Sequence, residues 1–197
     1  MFKSFAPFMP ALALLGACVS VLPEPEAPRG LYALAPADPT VSLAANVVIR
    51  EFEAPELMAG AAMVSEDEEG ARRLVKSVEW SGRLTRELQM ALVDSFDGEG
   101  AGTALLPELG VSAQYRVIGR VQSLLLRGQS AECVATVSVT DTIERNLAGQ
   151  SSVRANSLAA RDRAAERAQA LQMTAELCVQ RIAEETARIV ETLEADS

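Results

Sequence analysis

The chain has 197 residues, 27 acidic and 18 basic side chains, a formal charge of −9 and no histidine. Nucleic-acid affinity comes from clustered lysine and arginine, and a grip on anionic lipid needs basic clusters, so this charge argues against both. The missing histidine removes the commonest general base and the commonest metal ligand; the composition leans away from an enzyme, and no cofactor is expected.

The chain opens with Met1, Phe2 and Lys3, followed by an apolar run over 5–17 that contains Pro7, Pro10 and Gly16. A membrane-spanning helix needs roughly 20 apolar residues without such breakers, whereas one positive charge, a short apolar region and small residues before a cut point make a secretory signal. Leu15-Gly16-Ala17-Cys18 resembles the lipobox of bacterial lipoproteins, an aliphatic residue and two small ones before cysteine. The resemblance implies that 1–17 is a signal peptide, that the Cys18 thiolate accepts diacylglycerol, and that the product is held in a membrane by its acyl chains. Val19 follows where an aspartate would suggest inner-membrane retention, so the expected location is the outer membrane, facing the periplasm. Residues 18–30, with Pro23, Pro25 and Pro28, form a lipidated tether; extended at ~3.1 Å per residue it spans roughly 35 Å. A single folded domain is expected over 31–197.

In that domain, short strands are expected at 31–34 and in "NVVIREFE" (46–53), where β-branched and aromatic residues gather. A hairpin follows, with strands near 61–65 and 71–76 around the acidic turn Glu66, Asp67, Glu68 and Glu69. That cluster invites a calcium reading but lacks the alternating ligand spacing of an EF-hand loop, and a solvated turn is expected. From Glu79 to Phe96 the period turns helical: Trp80, Leu84, Leu88, Ala91, Leu92 and Phe96 make one apolar stripe, with Ser77 as N-cap. Trp80 reads as a packing anchor. Two long alternating strands come next, 112–126 and 131–140, joined by "RGQS", and a third lies near 150–157. A terminal helix is expected over 158–193, with Leu171, Ala175, Cys178, Ile182 and Ile189 on its buried stripe and a basic exposed patch at 161–170.

Cys133 lies on the apolar face of a strand and Cys178 on the apolar stripe of the helix that should cover it. In an oxidising compartment the pair is a disulfide candidate, with two buried free thiols as the alternative. The whole reads as α+β, a mostly antiparallel sheet with two helices packed on one face.

The ordered pieces resemble one family, the ABC-type transport auxiliary lipoproteins, similar to the PqiC lipoproteins of MCE lipid-transport systems. The matching pieces are the anchor at Cys18, "LYALAPADP" (31–39), "NVVIREFEAPELM" (46–58), the acidic hairpin, "VEWSGRLTRELQMALVDSF" (78–96), the strand pair 113–140 and the terminal helix. The resemblance implies a non-catalytic, outer-membrane-anchored component that docks an MCE-domain substrate-binding protein with its permease and ATPase. A hydrophobic lipid cargo held between sheet and helix is a further reading. The rival functions are an outer-membrane assembly lipoprotein, of the kind serving lipopolysaccharide transport, and an envelope hydrolase. For the hydrolase, no histidine can complete a triad, Gly-x-Ser-x-Gly is absent around Ser151, and a Ser–Lys pair would have only Lys76 after removal of Lys3.

Overall fold

The computed structural model describes residues 30–195. The expected signal peptide, the expected lipidation site Cys18 and all of the expected tether except Gly30 lie outside the described residues. Eight strands form one sheet: β1 (Gly30–Tyr32), β2 (Val47–Ile49), β3 (Ala62–Glu66), β4 (Arg72–Trp80), β5 (Ala104–Leu105), β6 (Tyr115–Arg127), β7 (Ser130–Asp141) and β8 (Leu147–Leu158). The helices are α1 (Glu56–Ala59), α2 (Leu84–Asp94) and α3 (Ala164–Ala195). No described helix is long and apolar enough to cross a membrane.

The strands β6, β7 and β8 form an antiparallel meander in long register, from Tyr115↔Asp141 to Arg127↔Ser130 and from Ser130↔Leu158 to Thr140↔Leu147. Gly128, at φ 58°, supplies the left-handed residue that a two-residue hairpin needs at its first position. Alternation then sorts the side chains. Ala131, Cys133, Ala135, Val137 and Val139 of β7 are buried, while the residues between them stay half-buried.

The other edge of β6 is shared. Its beginning pairs parallel with β2, through Val47↔Tyr115 and Ile49↔Val117. Its end pairs parallel with β3, through Ser65↔Leu126 and Glu66↔Arg127. Beyond these lie β5 on β2, and β4 then β1 on β3. The sheet therefore forks at β6. It is also mixed: four pairings are parallel and three antiparallel, against the mostly antiparallel expectation. Hairpins can be read from adjacent strands and a tight turn, but β1, β2 and β3 find their parallel partners only after long excursions.

Residues Val47 and Ile49 lie level with Tyr115 and Val117, on the face that α3 covers, and Gln89 of α2 donates from Nε2 to the Ile49 carbonyl at 2.8 Å. The helices α2 and α3 also touch each other. Both thus pack on one face of the sheet. Leu84, Leu88, Ala91 and Leu92 are the buried side of α2; Leu171, Ala175, Ile182 and Val190 are buried on α3. Each such aliphatic side chain larger than alanine contributes about 1.5–3 kcal/mol on leaving water. Alanines bring the layers close: Ala168, Ala175 and Ala183 of α3 and Ala131, Ala135 and Ala155 of the β7–β8 pair are all 2% exposed or less, and α3 packs on both strands. A Cβ on Gly149 of β8 would sit 2.5 Å from Cγ2 of Ile189.

Two boundaries differ from expectation. Glu79 and Trp80 belong to β4 rather than to the helix, and Ser77, expected as the N-cap, is a strand residue at φ 67°. Extended pairing wins there because Trp80 sits between two strands: it pairs with Tyr32, and its N–H donates to the Ala61 carbonyl at 2.7 Å. The helix begins only at Leu84, after Arg83 and with no side-chain cap. Trp80 is buried as expected of an anchor, but from the sheet. Likewise α3 begins at Ala164 rather than near 158, because β8 keeps pairing to Leu158↔Ser130.

Candidate functional site

The antiparallel register puts Cys133 opposite Leu124 and Ala155, on the covered face of β7, and the helical period puts Cys178 on the buried stripe of α3. Their Cα atoms are 6.4 Å apart and the two Sγ atoms face each other. Disulfides are usually found at Cα separations of about 4.4–6.8 Å, so the backbone needs no movement to accept a bond. Both residues are 1% exposed.

The acidic hairpin is not a bare cluster. Glu66 receives Arg72 Nε on Oε2 at 3.1 Å and Arg127 Nε on Oε1 at 2.9 Å, and Arg127 Nη1 reaches Glu132 at 2.7 Å. The Arg72 and then the Arg127 hydrogen bonds hold the Glu66 carboxyl below the usual glutamate value, against a smaller opposing effect of burial. Asp67 Oδ1 accepts the Ala71 N–H at 2.7 Å, which closes the turn, and Arg73 lies 3.0 Å from Oδ2. Among the described residues no group of histidine, cysteine and carboxylate side chains is arranged to hold a metal ion. The local sequence could not show that Arg127 joins this cluster, because that depends on the register of β3 against β6.

The basic patch expected at 161–170 is divided. Arg161 and Arg163 are exposed, whereas Arg167 is turned inward, with its side chain 25% exposed and Nη1 at 3.6 Å from Asp162. Its spacing of four from Leu171 was the available signal, since that puts it on the buried side of the helix. On the sheet face away from α3, Arg116, Arg120 and Arg154 flank the hydroxyls of Thr136, Ser138 and Thr140. Arg120 is paired with Glu53 at 2.7 Å. Lys76 stands exposed on β4, while Ser151 on β8 donates to the Glu185 carboxylate; the Arg188 hydrogen bond first, against an opposing effect of burial, and then the Ser151 bond hold that carboxyl below its ordinary value. Tyr115 donates its phenol to Glu194 at 2.8 Å; burial first, and that carboxylate second, push its pKa up to about 12. The Tyr115–Glu194 and Ser151–Glu185 bonds tie α3 to the sheet.

The comparison with known families decides the matter that this geometry leaves open. The sequence model for the ABC-type transport auxiliary lipoprotein component matches residues 31–183. The chain belongs to that family. It is accordingly an auxiliary component of an ABC-type transport system of the cell envelope, and the family is described as an auxiliary component rather than as an enzyme. Among curated proteins, none matches the chain in sequence. Solved structures do. A Xanthomonas campestris protein of the DUF330 family has a TM-score of 0.68 at 13% identity, covering 86% of this chain and 98% of its own. An uncharacterized protein has a TM-score of 0.62 at 12% identity, covering 81% and 99%. At such identities the likeness is one of fold.

Proposed function

We propose that this auxiliary lipoprotein is anchored in the outer membrane through acylated Cys18, after removal of residues 1–17, and that 18–30 is a tether for the periplasmic domain 31–197. It serves an MCE-type system that moves lipid or another hydrophobic solute, and its partners are an MCE-domain protein with a permease and an ATPase. The observation that carries the reading is the family match over most of the folded domain, which begins directly after the proline-rich segment. The work asked of the domain is mechanical: a fixed attachment, a spacer of roughly 35 Å and a docking surface. It involves no bond making, and the domain is not an enzyme. The domain needs to be rigid under load, and a Cys133–Cys178 disulfide formed in the periplasm supplies that rigidity by tying α3 to β7.

The test is an affinity pull-down of the full-length lipoprotein from its native envelope in mild detergent, read by mass spectrometry. Recovery of an MCE-domain protein together with a permease or ATPase is the expected result. Recovery of a β-barrel assembly protein without them would replace the reading by the assembly-factor rival.

A further inference from the structure

The sheet ends in three places, and two of them are blunt: β1 and β5 are strands of three and two residues. The third, β8, runs for 12 residues beside β7 and has no strand on its other side. A long row of outward N–H and C=O groups is a template for another chain, and proteins guard such edges with proline, lysine or bulges. Here β8 contains neither proline nor lysine, and its register with β7 is regular from Gly149 to Leu158. The Ala159 N–H donates to the Gln129 carbonyl, so the odd-numbered residues of β8 bond to β7. The even-numbered ones, from Gln150 to Leu158, turn their main-chain groups outward. Arg154 agrees with this parity, because its carbonyl accepts from Arg181 Nη1 of α3.

The side chains beside this edge have a pattern. Arg181 is level with Arg154, Glu185 with Ser151 and Ile189 with Gly149, so α3 runs against β8, and Leu177 lies beyond Arg181 towards Leu158. Both faces therefore show the same order. On the helix side it is Arg181 and then Leu177; on the open side it is Arg154 and then Leu158, all of them exposed. Neither arginine makes an ion pair among the described residues, although the chain carries a formal charge of −9.

We infer that β8 takes up an extended segment of a partner protein as an added strand, one with two adjacent acidic residues and apolar residues two to four positions along. Successive side chains of a strand alternate between faces, so one acidic residue meets Arg154 and its neighbour meets Arg181. The apolar residues then cover Leu158 and Leu177. Main-chain hydrogen bonds supply the affinity of such an addition, and the side chains supply its selectivity. A second copy of this chain would bring two more arginines to the edge, and like charges across a strand pair repel. The edge is indifferent to the transport system its partner belongs to, so this docking mode and the proposed function can fail separately.

The experiment titrates the full-length protein in detergent with a labelled peptide probe, Val-Val-Thr-Glu-Glu-Thr-Val-Val, read by fluorescence anisotropy. The probe is a palindrome, so it suits either strand direction. Saturable binding is expected, and replacing both glutamates by lysine should weaken it about tenfold or more. N-methylating one alternate set of amides should abolish binding while the other set is tolerated, because only one set faces β8. Ser152→Pro removes an outward N–H and spares the ladder with β7, so this variant should melt like the parent and bind about tenfold more weakly. The double variant Arg154→Glu/Arg181→Glu, at two exposed positions, should invert the preference between the glutamate and lysine probes. No saturable binding, equal tolerance of both N-methylated sets, or no inversion in the double variant would overturn the inference. So would sedimentation in which Ser152→Pro, without peptide, halves the mass of the particle, since the edge would then belong to a second copy.

Discussion

Breaking the proposed link between Cys133 and Cys178 should cost more than almost any single core substitution. The two residues are 45 apart in sequence. Closing a loop of that length in the unfolded chain removes entropy equivalent to about 4 kcal/mol at 25 °C. For a domain of this size, 1 kcal/mol shifts the melting midpoint by about 2–4 °C, so reduction should lower it by about 8–16 °C. The assay compares urea unfolding of the full-length protein in detergent, oxidised and after a phosphine reductant, at one pH and one protein concentration. A Cys133→Ala/Cys178→Ala variant, insensitive to the reductant, separates the covalent constraint from local packing. Alkylation under denaturing, non-reducing conditions should leave the mass of the mature protein unchanged. Two adducts, or oxidised and reduced stabilities within about 0.5 kcal/mol, would refute the reasoning, because then either no bridge exists or the unfolded chain is not loosened by its loss.

Four further outcomes are expected. Gly149→Ala should destabilise by about 1–3 kcal/mol, since the new Cβ meets Ile189 Cγ2, and a double-mutant cycle with Ile189→Ala should return part of that loss. Glu66 has its folded pKa depressed, so its stabilising contribution is present above the unfolded glutamate value of about 4.3 and is lost as pH falls through the folded value; Glu66→Gln should flatten the acid limb of stability measured by urea titration. Tyr115 behaves oppositely at the alkaline end: its folded pKa is raised to about 12, so its contribution holds below the unfolded value of about 10 and fades as pH rises through the folded one, and Tyr115→Phe should lose less stability over that window. Cys18→Ser should move the protein from the membrane fraction into the soluble periplasm; continued firm membrane attachment would contradict the anchor.

What the sequence revealed of the fold follows a physical boundary between local and distant pairing. Alternation over 112–140, the acidic hairpin and the apolar stripe through Leu171, Cys178 and Ile182 all depend on neighbours in sequence, and each marks an element of the structure. The convergence of Cys133 and Cys178 on one interlayer space could also be argued, because strand period and helix period each assign a face. The parallel partners could not, since nothing near Val47 or Ser65 records that β6 will lie beside both. Trp80 shows the cost of that blindness. Its spacing to Leu84 and Leu88 fits a helix, yet pairing with Tyr32, almost fifty residues earlier, holds it in a strand. The charged cluster was hidden for the same reason: Glu66, Arg127 and Glu132 come from three strands whose meeting is set by the sheet.

The fork at β6 also dictates an order of events. Translation, and export through a membrane, deliver the chain from its N-terminus, so β1, β2 and β3 emerge before Tyr115–Arg127 exists to receive two of them. Until β6 arrives, Val47 and Ile49, later fully enclosed, have only the two-residue β5 to pair with, and the β3–β4 hairpin, with β1 on its β4 side, keeps an open edge on β3. Unpaired edges and non-local closure are what make a nascent chain slow and prone to aggregate. The first third of the domain therefore completes its sheet only once the centre of the chain has been delivered.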